Sequence, residues 1–274
     1  LLHKTIRSIL DNFTGNYEVV PVIDGYKLRE PIVCDEHVRP IVHDRNKGMR
    51  ESINTGVRES RGEHIMRTDE HCMFCKGFDE GILNCIEDDE IATGSRHVLD
   101  PKKWELVSAH PVNYEKLIVQ RLRQGWKFAA QKWRSRDRER KDLMVDETMA
   151  MQGSVWVMSR SWWDRVIGRL DSRGYGTLYQ DSVEMVFKTW RAGGRLMLNK
   201  HVWYAHKGRK FHRTHNYPNS WARASFTHSL LQWLPDYMQL MGKWGLHNRF
   251  GKTARVCDVL GVPWNCYSMK NKHE

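Results

Sequence analysis

Glu63-His64-Ile65-Met66-Arg67-Thr68-Asp69-Glu70-His71-Cys72 decides how this chain is read. Its first half is strand-like and runs directly into the polar cluster Asp69-Glu70-His71. Open α/β sheets bind ligands beyond the carboxyl ends of their strands, so the position of that cluster carries meaning. Two more polar groups hold equivalent places. Asp24 closes the apolar run Tyr17-Glu18-Val19-Val20-Pro21-Val22-Ile23, and His206 follows the strand-like residues 195–205. A carboxylate and imidazoles that converge at strand ends suit a divalent cation bridging phosphates. Manganese takes such mixed oxygen and nitrogen ligation more readily than magnesium.

Outward from this stretch the pattern alternates. Leu2, Ile6, Ile9, Leu10 and Phe13 recur on one helical face, as do Met49, Ile53 and Val57. Helices are expected at residues 77–87 and 114–123, from Ser161, and over 181–191, where Gly193-Gly194 stops the last one. Strands are expected at 91–96 and 153–158. The α-β-α-β order argues an α/β fold, a mainly parallel sheet flanked by helices. From Lys207 the chain turns basic, aromatic-rich and mostly helical, including residues 221–234. The expected organisation is therefore one α/β domain at 1–206 and a helical, basic C-terminal extension at 207–274.

With 274 residues, 40% of them hydrophobic, the chain is long enough for one large α/β core. No apolar run is long enough to span a bilayer, and the start lacks the cleavage site of a secretory signal. Six scattered cysteines read as reduced thiols of a cytoplasmic protein. Cys72 and Cys75 form a C-x-x-C with no second half at finger spacing, which makes a weak zinc signal. A net charge of +11 attracts polyanions without choosing among them.

Taken together, Thr68-Asp69-Glu70-His71-Cys72 resembles the D-x-H variant of the D-x-D metal motif of polypeptide N-acetylgalactosaminyltransferases. Val202-Trp203-Tyr204-Ala205-His206 stands where that family has its later V-G-H segment. Asp181-Ser182-Val183-Glu184 with Trp190-Arg191-Ala192-Gly193-Gly194 resembles its E-N-L-E…W-Q-C-G-G helix. Asp24-Gly25, Asn46-Lys47-Gly48, Asn54-Thr55-Gly56 and Gly62-Glu63 resemble the nucleotide-binding half of family 2 glycosyltransferases. The resemblance implies a GT-A (Rossmann-like) fold and transfer of a hexosyl or N-acetylhexosaminyl group from a UDP-sugar. It implies Mn2+ (or Mg2+) held by Asp69, His71 and His206. Donor contacts are implied at Asp24, Asn46, Gly48, Asn54 and Asp69, and catalytic residues at Asp181, Ser182 and Glu184.

Two departures from the family matter. Inverting family 2 enzymes carry an E-D pair whose aspartate is the base, and that pair falls here on Asp181-Ser182. Serine is no general base at neutral pH without its own activator, which tips the expectation towards retention. A one-residue shift that makes Asp181 the base restores inversion. The family also opens with an apolar strand, whereas this sequence opens at the helix after it. That strand is expected either outside this sequence or missing from a truncated copy with impaired donor binding.

The acceptor is read from charge and aromatics. Residues 132–141 (KWRSRDRERK) and Lys207-Gly208-Arg209-Lys210-Phe211-His212-Arg213 flank the expected site, with Trp203, Tyr204, Tyr217 and Trp221 interleaved. Cations for phosphates and aromatic faces for bases suit nucleic acid. A hydroxymethylated DNA base, flipped from the helix, is one such acceptor, and implies a bacteriophage-type DNA modification in the host cytoplasm. Protein and polysaccharide acceptors stay open, as does a non-catalytic basic nucleic-acid-binding module. Trp156 is a pocket residue or a core residue on equal terms.

Overall fold

The computed structural model describes residues 1–32, 35–107, 110–122, 125–176, 179–208, 219–246 and 250–261. Cys34, Cys266, Arg209 to Arg213, Tyr217 and the Trp221 side chain lie outside what is described. The chain opens with α1 (Leu2–Asn12), β1 (Val22–Asp24), β2 (Ile41–His43), α2 (Met49–Glu59), β3 (His64–Thr68), β4 (Cys72–Phe74) and α3 (Phe78–Leu83). Next come β5 (Glu90–Asp100), β6 (Glu105–Leu106), β7 (Glu115–Leu122), β8 (Gly125–Lys132), α4 (Arg134–Glu139), β9 (Val145–Glu147) and β10 (Val155–Ser159). Then α5 (Arg160–Trp162) continues into a π-helical turn, Trp163–Ile167. It is followed by α6 (Asp181–Arg191), β11 (Arg195–Lys207), α7 (Asn219–Lys243) and α8 (Phe250–Leu260).

The central sheet runs β3-β10-β5-β11-β4, with β6 added to β5 and β9 to β11. An α/β sheet covered by helices is what the alternation implied, but its strand directions are mixed. Only β5–β11 is parallel within it; the other ladders are antiparallel. Strand β10 runs antiparallel to both of its neighbours, β3 and β5, and β4 runs antiparallel to β11.

The helix expected at residues 114–123 is strand β7, paired antiparallel with β8 along its length. Ile118 and Val119 are β-branched, and Leu117 and Phe128 are buried against Tyr237 and Phe187. Pairing with β8 satisfies the backbone, so tertiary packing overrides the local period. Residues 132–141 hold the short helix α4. Arg136 and Arg140 there are spent on Asp146.

Edge strand β4 is closed by α1. The Cys72 and Phe74 amides donate to Thr5 Oγ1 and Ser8 Oγ at 3.1 and 3.0 Å. Side-chain hydroxyls thus satisfy an edge that would otherwise offer pairing groups. Trp156 is a core residue, fully buried and stacked on Trp163. Leu230, Trp233, Tyr237 and Met241 of α7 join the same core as β10 and α6, and Arg191 of α6 grips Asp236 of α7 through two hydrogen bonds. No helix among the described residues is long and apolar enough to cross a membrane.

Strands β1 and β2 form a separate parallel pair. Among the described strands none lies between β1 and β3, and a long cleft runs there. Val19 and Pro21 bond towards the β2 side, so Val20 and Val22 face the cleft.

Candidate active site and metal centre

Strand β3 ends at Thr68, and Asp69 to His71 make the turn into β4. The β4–β11 ladder sets His206 opposite Cys72, and the Lys207 amide donates to the His71 carbonyl at 3.2 Å. The His71 and His206 rings therefore lie 4.7 Å apart, centre to centre. His206 Nε2 stands 3.0 Å from Asp69 Oδ2, and His71 Nε2 stands 3.8 Å from the same oxygen. Ligand atoms of these three residues all fall within 4.8 Å of one another. Bonds of about 2.1 Å to one cation need ligand atoms roughly 3–4 Å apart, a small closure from this arrangement. His71 Nδ1 is 3.0 Å from Glu70 Oε1.

A bulge in β11 decides which residue reaches the site. Its register with β5 jumps between Asn199 and Trp203, three residues beyond a regular ladder. Gly94 makes room for the bulge, since a Cβ there would lie 2.9 Å from the Val202 carbonyl.

The electrostatics favour a cation. Burial alone would raise the Asp69 carboxyl, but the Arg67 guanidinium and the His206 hydrogen bond bring it down to about 2. Burial lowers His206 from its ordinary value, against the pull of Asp69, which leaves its imidazole neutral and ready to ligate. Burial pushes the neighbouring Cys72 thiol up to about 12, so it offers no thiolate. Cys75 Sγ accepts from the Trp203 amide at 3.2 Å. Cys72, Cys75, Cys85 and Cys257 are all free thiols. Asp69, His71 and His206 fit a hard or borderline divalent cation, and the C-x-x-C adds nothing to them.

The remaining expected site residues divide. Asp181 begins α6 and lines the cleft; burial raises its carboxyl, against the nearby Arg67 and Arg50. Its Oδ2 has no hydrogen-bond partner, and a Cβ on Gly153 would lie 2.8 Å from it. Ser182 lines the same cleft. Glu184 turns away: it pairs with Arg50 and, at 2.8 Å, with Lys188, and it is 2% exposed. Arg50 itself donates to the Asp171 and Tyr179 carbonyls and lies 4.2 Å over the Tyr175 ring. This pair secures the loop that leads into Asp181.

The nucleotide-side residues also divide. Asp24 reaches the cleft wall, but its carboxylate accepts from the Lys47 and Gly48 amides, both at 2.7 Å, and meets His43 Nδ1 at 2.8 Å. Gly48 takes part through its backbone at φ 90°, and Asn46 Nδ2 donates to the Asp24 carbonyl at 3.3 Å. Asn54 clasps both backbone groups of Leu170 and does not line the cleft. Tyr204 is core, hydrogen-bonded to Ser154, while Trp203 is half-buried beside His97. Arg67 and Gln152 line the cleft and were not singled out from sequence. For Arg67 the available signal is its place two residues before Asp69 on one strand.

A family model described as glycosyl transferase family 2 matches residues 1–166, more than half of the chain. The chain belongs to glycosyl transferase family 2. This family 2 chain also resembles a solved structure described as the crystal structure of GalNAc-T7 with UDP, GalNAc and Mn2+. The TM-score is 0.64 at 16% identity, over 88% of this chain and 45% of that one. At that identity the likeness establishes the GT-A fold, and this family 2 chain spans less than half the length of the matched protein. No curated protein matches it significantly.

Proposed function

We propose that the protein transfers a sugar from a nucleotide-sugar, most simply a UDP-sugar, to an acceptor hydroxyl, with the help of a divalent cation. The cluster of Asp69, His71 and His206 at the cleft carries this reading. A cation held there supplies positive charge beside the departing nucleoside diphosphate, where negative charge grows. Mn2+ suits one carboxylate and two imidazoles, and the related GalNAc-T7 was solved with UDP and Mn2+.

Asp181 is the group we place at the acceptor hydroxyl. Asp181 lines the cleft within electrostatic reach of Asp69 and its buried Oδ2 has no hydrogen-bond partner, whereas Ser182 has no activating base assigned to it. With Asp181 as base the course is inversion; a product of retained configuration would return the role to a mechanism without a carboxylate base. UDP-sugar hydrolysis with manganese, compared in wild type and Asp69→Ala, tests the whole reading. Equal rates would remove it.

DNA carrying hydroxymethylated bases is a specific acceptor worth testing. Arg134, Arg138 and Lys141 are exposed beside the cleft-lining Lys132, although Arg136 and Arg140 are neutralised by Asp146. Binding through phosphates weakens steeply with salt, about a hundredfold or more between 50 and 200 mM for several contacts. Fluorescence anisotropy with labelled duplex and single-stranded DNA reads this directly. An affinity that ignores salt points to protein or polysaccharide acceptors. Salt-sensitive DNA binding with no turnover points to a binding module.

A further inference from the structure

Arg67 does more than sit beside Asp69. The two residues stand two positions apart along the extended chain, so their side chains leave the sheet on one face. Arg67 Nη2 donates to Asp69 Oδ1 at 2.5 Å, and its one other acceptor contact among the described residues is the Met49 sulfur at 3.6 Å. A guanidinium has five N–H donors in a planar fork, and sulfur is a weak acceptor. Most of the Arg67 donors are thus unspent, in a side chain that is only 13% exposed and that lines the cleft with the three metal ligands. A nearly buried guanidinium with unspent donors, next to a cation site, is built to meet an anion in a bidentate manner.

Charge points the same way. One carboxylate and two neutral imidazoles around a divalent cation leave a single net positive charge. A nucleoside diphosphate carries at least two negative ones. We propose that Arg67 is a second diphosphate-binding group, resting on the nucleotide-sugar reading above. In the free protein it holds Asp69; when cation and nucleotide enter, its donors turn to a phosphate oxygen and Asp69 Oδ1 is released towards the cation. Arg67 and the cation then share the diphosphate between them.

Calorimetric titration of the whole protein with UDP and with uridine, at saturating Mn2+, tests this in wild type, Arg67→Met and Arg67→Gln. Mn2+ binding without nucleotide is followed in parallel by electron paramagnetic resonance. Both variants lose about tenfold in UDP affinity, the scale of one charge-assisted bidentate contact, while uridine affinity is unchanged and Mn2+ alone binds as tightly or more tightly. Arg67→Gln keeps a hydrogen bond to Asp69, so it serves if Arg67→Met misfolds. A UDP loss below about threefold overturns the proposal, and so does an equal loss for Mn2+ and UDP, which would make Arg67 only a support for Asp69. If wild type itself binds no UDP, the nucleotide-sugar reading falls and this one with it. Tight UDP binding by wild type and variants alike removes Arg67 alone.

Discussion

His206 Nε2 lies 3.0 Å from Asp69 Oδ2, although 137 residues separate them in the chain. The contact joins the end of β3 to β11, and both residues line the cleft. In the free protein the imidazole donates to the carboxylate, and a cation bound as proposed would take a lone pair from each. Several consequences can be measured.

Asp69 is held at about 2, below its ordinary 3.8. Because the folded value is depressed, ionised Asp69 stabilises the fold above the unfolded value, and that contribution disappears as pH falls through the folded value. Its size is on the order of 2 kcal/mol. Urea unfolding in chelator should show Asp69→Asn less stable by that amount at pH 7, with the gap closing between pH 4 and pH 2. A gap that does not change with pH would show that the Arg67 and His206 contacts do not set the Asp69 titration.

Burial lowers His206 from its ordinary 6.5, so it stays neutral to a lower pH than a free imidazole. The His206 contribution to Mn2+ affinity should therefore fade at a lower pH than a free imidazole's would, as His206 takes up a proton. His206→Ala should weaken Mn2+ at least about tenfold at pH 7.5. Free Mn2+ signals in electron paramagnetic resonance report both.

Asp181→Asn keeps the shape of a side chain whose Oδ2 has no partner to lose. Transfer should drop by about a hundredfold or more, with Mn2+ affinity and melting temperature nearly unchanged. Ser182→Ala should retain most activity. Burial raises Asp181, so the acid limb of the pH–rate profile should lie above the ordinary carboxylate range. Nuclear magnetic resonance of the new anomeric centre decides between inversion and retention.

Arg50 and Glu184 form a fully buried pair, 0% and 2% exposed. Arg50→Met leaves Glu184 with Lys188 alone and frees the Asp171 and Tyr179 carbonyls. A loss of about 3–5 kcal/mol is expected, and Glu184→Gln added to it should recover part. Thermal melts of the two variants test this. An Arg50→Met protein with wild-type stability would show that the loop into Asp181 is held by its other contacts.

Much of the fold was legible because its signals are local. The Ile6-Ile9 and Met49-Ile53-Val57 spacings, the helix 181–191 and its Gly193-Gly194 stop all appear within one or two turns of chain. Residues 114–123 misled for the opposite reason. Their strand state depends on β8 for a partner and on α7 for cover, neither of which a short window contains. Asp24, Asn54 and Glu184 show how side-chain partnership lies beyond a motif's reach. Each matches a motif position, yet each spends its polar atoms on a loop or on a buried cation.

The amino-acid sequence alone determined the alternation of helices and strands and the placing of Asp69-Glu70-His71 at a strand end. Both are set by periodicity and turn chemistry within a few residues. Tertiary structure alone decided that the three-residue bulge in β11 delivers His206 opposite Cys72, and that Arg67 shares a cleft face with Asp69 and Asp181. Ladder register and side-chain partnership depend on which distant backbone groups meet, and that meeting is a property of the assembled sheet.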